Sequence, residues 1–138
     1  MKNTNVADAY RVAQFESASP VKIVQMLNAG AIRYLKVALT CDPSDSAYRE
    51  NIRKAEDIIG ELRASLDHDP NPEMSGRLEG LYVYMNGELS RAVMEHDMVG
   101  IESSVKILET LLDAWTKASK VIGDDSQPAT QASVKHVS

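Results

Sequence analysis

Four stretches of this chain repeat apolar residues in alternating steps of three and four, and each stretch is cut from the next by a short polar break. A repeat averaging about 3.6 residues lines side chains along one side of an α-helix, whereas a half-buried strand needs alternation at every second residue. The first stretch carries Ile23, Val24, Leu27, Ala31, Tyr34, Leu35 and Ala38, and the second carries Tyr48, Ile52, Ala55, Ile59, Leu62 and Leu66. Met74, Leu78, Leu81, Met85, Leu89 and Ala92 make the third stripe; Ile101, Val105, Leu108, Leu112, Trp115 and Ile122 make the fourth.

The breaks carry recognisable stop and start chemistry. Ser19-Pro20 offers a hydroxyl cap followed by a proline at the first helical position, where a missing N–H does no harm. Pro43 ends the first helix near Thr40, and Asp67-His68-Asp69-Pro70-Asn71-Pro72 separates the second from the third with Asn71 as the cap. Glu95-His96-Asp97 makes a tight connection with Asp97 as cap, and Gly123 is the expected stop of the last helix. Connections this short do not cross a bundle of helices about 30 Å long, so successive helices run antiparallel. The expected fold is all-α: an antiparallel up-down four-helix bundle over residues 19–123, with a short N-terminal helical segment over 1–18 and a disordered C-terminal tail over 124–138. Glu50–Lys54, Glu102–Lys106 and Asp113–Lys117 stand at helical i,i+4 spacing in the favourable order.

Composition narrows the function. The net charge is −5, so a phosphate backbone meets a repelling surface, and no nucleic acid is expected as a partner. No run approaches the roughly 18 apolar residues that cross a bilayer, and the first residues lack the apolar core of a secretory signal. No membrane insertion is expected, and the compartment expected is the cytoplasm. The single cysteine, Cys41, lies in a turn beside Asp42 and Pro43 and reads as an inert thiol.

A search for chemistry returns little. A di-iron bundle repeats Glu-x-x-His on two helices, and that pattern is missing; His68 and His96 fall in loops and His136 in the tail. There is no Walker A lysine motif and no G-x-G-x-x-G. No cofactor, no metal and no enzymatic activity are expected. The apolar surplus says more: Ile58, Ile107 and Leu111 widen their stripes beyond what one neighbouring helix covers. These side chains either complete an offset core or line a groove for a partner helix. Met26, Met85, Met94 and Met98 are read first as core fillers, although flexible thioethers also suit an adaptable surface.

The order of local motifs resembles the FliS family. Tyr10 precedes Ala18-Ser19-Pro20; Met26-Leu27 and Gly30-Ala31-Ile32-Arg33-Tyr34-Leu35 follow; then come Lys54-Ala55-Glu56-Asp57-Ile58-Ile59-Gly60-Glu61-Leu62 and Ser65-Leu66-Asp67. Leu81-Tyr82-Val83-Tyr84-Met85 and the Leu111 to Trp115 segment complete the likeness, which spans residues 10 to 115. One departure is that Asn28-Ala29 stands where the family usually has Tyr-Glu.

The resemblance implies a cytoplasmic chaperone that holds the C-terminal segment of flagellin one-to-one before type III export, with flagellar export or regulatory proteins as further partners. The residues expected to meet the partner are Tyr10, Met26, Leu27, Ile32, Arg33, Ile58, Leu62, Ile107 and Leu111. The N-terminal stripe Val6-Ala9-Tyr10-Ala13 either lies in the cargo groove when cargo is absent or packs simply on the bundle. A rival reading is a structural bundle that self-associates through the same surplus.

Overall fold

The computed structural model describes residues 20–122. They form four α-helices: α1 (Pro20–Leu39), α2 (Ser46–Ala64), α3 (Pro72–Glu95) and α4 (Val99–Ile122). Each packs on its chain neighbours, and α4 closes the ring against α1, which is the expected antiparallel up-down bundle. The expected N-terminal helical segment, the Ser19 cap, the Gly123 stop and the C-terminal tail lie outside the described residues.

The helix boundaries follow from local chemistry. At the end of α1 the Thr40 N–H and hydroxyl both donate to the Val37 carbonyl, at 2.9 and 2.6 Å. The following turn is fastened by Asp42, whose Oδ1 accepts from the Ser44 N–H at 2.9 Å and hydroxyl at 2.8 Å. Those bonds hold the Asp42 carboxyl below its usual range. Asn71 caps α3 as expected, accepting from the Met74 N–H at 3.2 Å, and Asp97 accepts from the Val99 N–H at 3.0 Å at the head of α4. His96 ends α3 in the left-handed region at φ 55°. Few non-glycine residues accept that conformation, and its ring meets the edge of Tyr48 at 6.4 Å.

Ala31, Leu35, Ile52, Ile59, Leu62, Met85, Leu89, Ile101 and Leu108 form the heart of the core and are all essentially unexposed. Tyr48 joins α2 to α3 by donating its hydroxyl proton to the Ala92 carbonyl at 2.9 Å, which satisfies a backbone acceptor near a helix end. The third stripe is rotated slightly from expectation. Tyr82, one helical turn from both Leu78 and Met85, is the deeply buried residue, Leu81 is half-buried, and Met74 is exposed. The buried positions keep a regular alternation of three and four, Ser75, Leu78, Tyr82, Met85, Leu89 and Ala92, so Ser75 and Tyr82 take the inward places expected of Met74 and Leu81.

Methionines divide by environment. Met85 fills the core and Met98 packs against it, but Met94 is 76% exposed, so the core-filling expectation fails there. Of the three helical charge pairs expected, Asp113–Lys117 forms at 3.1 Å. No ion pair joins Glu50 to Lys54 or Glu102 to Lys106. Cys41 is half-buried, its S–H directed at the Val37 carbonyl at 3.3 Å.

Candidate partner-binding site

Two cross-helix contacts fix the orientation of α1. The Gln25 amide nitrogen lies 3.3 Å from the Thr116 hydroxyl, and the Lys36 ammonium lies 3.2 Å from the Glu109 carboxylate. These contacts mark the side of α1 that faces α4. Ile32 lies on that side and is 8% exposed. The other flank of α1, carrying Met26, Leu27, Gly30 and Tyr34, looks toward α2.

Between α1 and α2 that flank opens into a groove of about 340 Å³. Met26, Leu27 and Ala29 line it from α1, and Ile58 lines it from α2. Gly30 keeps it deep, because a Cβ there would stand 3.4 Å from Ile58 Cδ1. The rim is cationic. The Arg33 guanidinium and the Lys54 ammonium each lie 5.4 Å from the centre of the Tyr34 ring, a contact worth about 0.5–1 kcal/mol at an exposed site. Lys54 is thus held over the ring rather than beside Glu50. Arg33 makes no ion pair among the described residues, so its five N–H donors remain open to a carboxylate.

The structure therefore divides the residues expected to meet a partner. Met26, Leu27, Arg33 and Ile58 come together in the groove. Ile32 and Leu62 do not; both are buried in the core, Leu62 at 1% exposure, and neither can touch a partner unless the bundle opens. Ile107 and Leu111 pack half-buried against the core on the side of α4 away from Glu109 and Thr116, far from the α1–α2 groove. Tyr10 lies outside the described residues. Tyr34, Gly30 and Lys54 belong to the groove without having been expected there. Tyr34 reads as a core position by spacing alone, and no one-dimensional pattern brings Lys54 across to its ring.

The groove contains no carboxylate, histidine or thiol, and among the described residues no three His, Cys, Asp or Glu side chains gather as metal ligands. It has an apolar floor and cationic edges, which is the chemistry of a peptide-binding surface. Comparison with known proteins points the same way: the family model described as flagellar protein FliS matches residues 2–121. The chain belongs to the FliS family.

Its relatives include the flagellar secretion chaperone FliS of Vibrio cholerae, 33% identical over 106 residues that cover 75% of this chain and 77% of that protein. The Salmonella typhimurium chaperone of the same name is 33% identical over 106 residues, covering 75% and 78%. That of Bacillus subtilis is 28% identical over 116 residues, covering 83% and 86%. The FliS family is one of secretion chaperones rather than enzymes, and the bundle and groove described above are features of a FliS chain.

Of the Asn28-Ala29 departure, Ala29 falls at this groove and Asn28 beneath the surface of α1. Asn28 is completely buried; its Nδ2 donates to the Val24 carbonyl at 2.9 Å while Oδ1 has no partner. Ala29 is exposed at the groove's edge. A glutamate at position 29 would stand one turn before Arg33, in reach of an i,i+4 pair. With alanine there, Arg33 keeps its charge for something else.

Proposed function

We propose that this chain is a type III flagellar export chaperone. It binds the amphipathic C-terminal segment of flagellin in the bacterial cytosol, one copy to one, masks it against premature polymerisation and leaves the rest of the cargo threadable. The observation that carries this reading is the α1–α2 groove, with its apolar floor of Met26, Leu27 and Ile58 beneath the cationic rim of Arg33 and Lys54. An amphipathic helix with apolar residues on one face and carboxylates beside them complements such a surface. No helix among the described residues is long and apolar enough to cross a membrane.

Magnitudes set the extent of the contact. Full burial of an aliphatic side chain gains about 1.5–3 kcal/mol, and these three are already partly covered, so the groove itself contributes about 2–5 kcal/mol. Ordering a disordered segment costs about the same. The cargo therefore has to continue beyond the groove and bury further apolar surface before its affinity becomes useful.

The deciding experiment is isothermal titration of the full chain with flagellin and with flagellin lacking its C-terminal segment. Binding is expected only with the segment present, at one-to-one stoichiometry, and Ile58→Asp should weaken it at least tenfold, about 1.4 kcal/mol. Equal binding of both flagellins, or none, would sink the assignment. A heat of dilution for the chain alone that signals self-association would instead favour the rival bundle.

A further inference from the structure

We infer that the α2–α3 face carries a second protein-binding groove, separate from the α1–α2 groove, that accepts a helical segment bearing carboxylates one turn apart.

A line of α2 residues borders this face, and from an exposed line on α3 Ser90 and Met94 reach it. On α2, Arg49, Arg53, Glu56, Gly60 and Arg63 recur in steps of four and three; on α3, Gly76, Gly80, Val83, Gly87, Ser90 and Met94 do the same. Every one of these α3 residues is exposed, so α3 presents a second helical seam besides the one that faces the core. A seam at this spacing matches the side-chain repeat of another helix.

The lower part of the face is fastened. Arg63 pairs with Glu79 at 3.0 Å, and the Ser90 hydroxyl donates to Glu56 Oε2 at 3.2 Å. Beyond Ser90 the two helices are joined only beneath the surface, by the buried Tyr48 hydroxyl on the Ala92 carbonyl, and above it a groove of about 230 Å³ opens between Arg49 and Arg53 on one wall and Val93 and Met94 on the other. Nothing lies within 4 Å of a Cβ built at Gly60 or Gly87, so neighbouring atoms do not obstruct approach along the seam.

Charge selects the occupant. Arg49 and Arg53 stand one turn apart, and Arg49 has no ion pair among the described residues. Glu56 supplies one negative charge against these two positive ones, leaving a local excess of one cation in a chain of net charge −5. A partner helix with Asp or Glu at i and i+4 places a carboxylate on each guanidinium, while an adjacent apolar residue covers Met94. Because this face lies across α2 from the α1–α2 groove, a chaperone holding cargo keeps it free for a second protein.

The test uses the full chain labelled with 15N and a designed amphipathic helical peptide carrying paired glutamates beside a leucine stripe. Backbone shifts are expected at Arg49–Arg53 and Ser90–Met94. R49E/R53E should weaken the peptide at least tenfold, and a peptide with lysines in place of glutamates should regain affinity for that variant. Both arginines are exposed, and circular dichroism verifies that the variant stays folded. Shifts confined to Gly30–Tyr34, equal affinity for the variant, or no binding at the highest soluble concentration would each overturn the inference. Titration with flagellin separates the two grooves: R49E/R53E should bind it as the unaltered chain does. A tenfold loss there would make this face part of the cargo path and overturn the claim of a second partner. Failure of flagellin to bind either protein would reject the cargo assignment alone.

Discussion

Ile58 and Ile59 are neighbours in the chain and occupy different environments. Ile59 is wholly enclosed by the bundle, whereas Ile58, one helical step around α2, is half-buried in the wall of the α1–α2 groove. A step of one residue rotates a side chain by about 100°, so a single helix serves the interior with one edge and a partner with the next. Stability and recognition are thereby written at adjacent positions, and each can be altered with little effect on the other.

The largest effect expected tests that separation directly. Ile59→Ala leaves a cavity in a packed core and should cost about 2–5 kcal/mol. Ile58→Ala removes side-chain surface from an open groove and should cost less than about 1.5 kcal/mol. Urea denaturation of both variants, read as midpoints at unchanged slope, gives the comparison. Similar losses would mean that Ile58 is as much a core residue as its neighbour, and the groove would lose its main apolar wall.

Glycines repeat the contrast at smaller scale. A Cβ at Gly100 would stand 2.7 Å from the Glu88 carbonyl oxygen, where α4 meets α3, while a Cβ at Gly80 meets nothing within 4 Å. Gly100→Ala therefore forces the two helices apart and should destabilise by about 1–3 kcal/mol. Gly80→Ala, on an exposed helix surface, should stabilise by about 0.5–1 kcal/mol through helix propensity. Thermal melts that moved the same way for both would show that the α3–α4 approach relaxes at no cost.

The sequence carried the architecture because each element was specified twice, by its apolar period and by its boundary residues. Asn71 and Asp97 are helix-start residues in the structure, and Pro43 follows the end of α1. The site was legible only in part. Met26, Leu27, Arg33 and Ile58 are expected at the partner and do converge, since surplus apolar residues beside a completed seam have few places to go. Ile32 and Leu62 are expected there too, but they sit on the α4-facing side of α1 and in the core. Assigning an apolar residue to core or groove requires knowing how far its helix is rotated, and a repeat of three and four fixes that rotation only to within about one residue. The same uncertainty misplaced Leu81 and Tyr82. Local spacing pairs Lys54 with Glu50 because it sees only its own helix, whereas the ring of Tyr34 comes from another.

The smallest effect expected concerns Glu56, which belongs to the wall of the α2–α3 groove. Burial raises the pKa of its carboxyl, partly opposed by the bond from Ser90 and by the charge of Arg53, with Asp57 pushing it further upward. A raised folded-state pKa means that the native chain holds this proton more tightly than the unfolded chain does. The resulting stabilisation is fully present below the ordinary glutamate value of about 4.3 and is lost as pH rises through the folded-state value above it. Glu56→Gln removes the titration. Its stability relative to the unaltered chain should therefore improve as pH rises from the carboxylate range to neutrality, by a small amount because the group is only partly buried and is screened by solvent. Unfolding midpoints of the two proteins measured across that range decide the sign. If the glutamine variant instead falls behind as pH rises, the ionised carboxylate is held by Arg53 more firmly than burial opposes it. The α2–α3 groove would then already be neutralised at its centre, and Arg49 alone would remain to attract a partner's carboxylate.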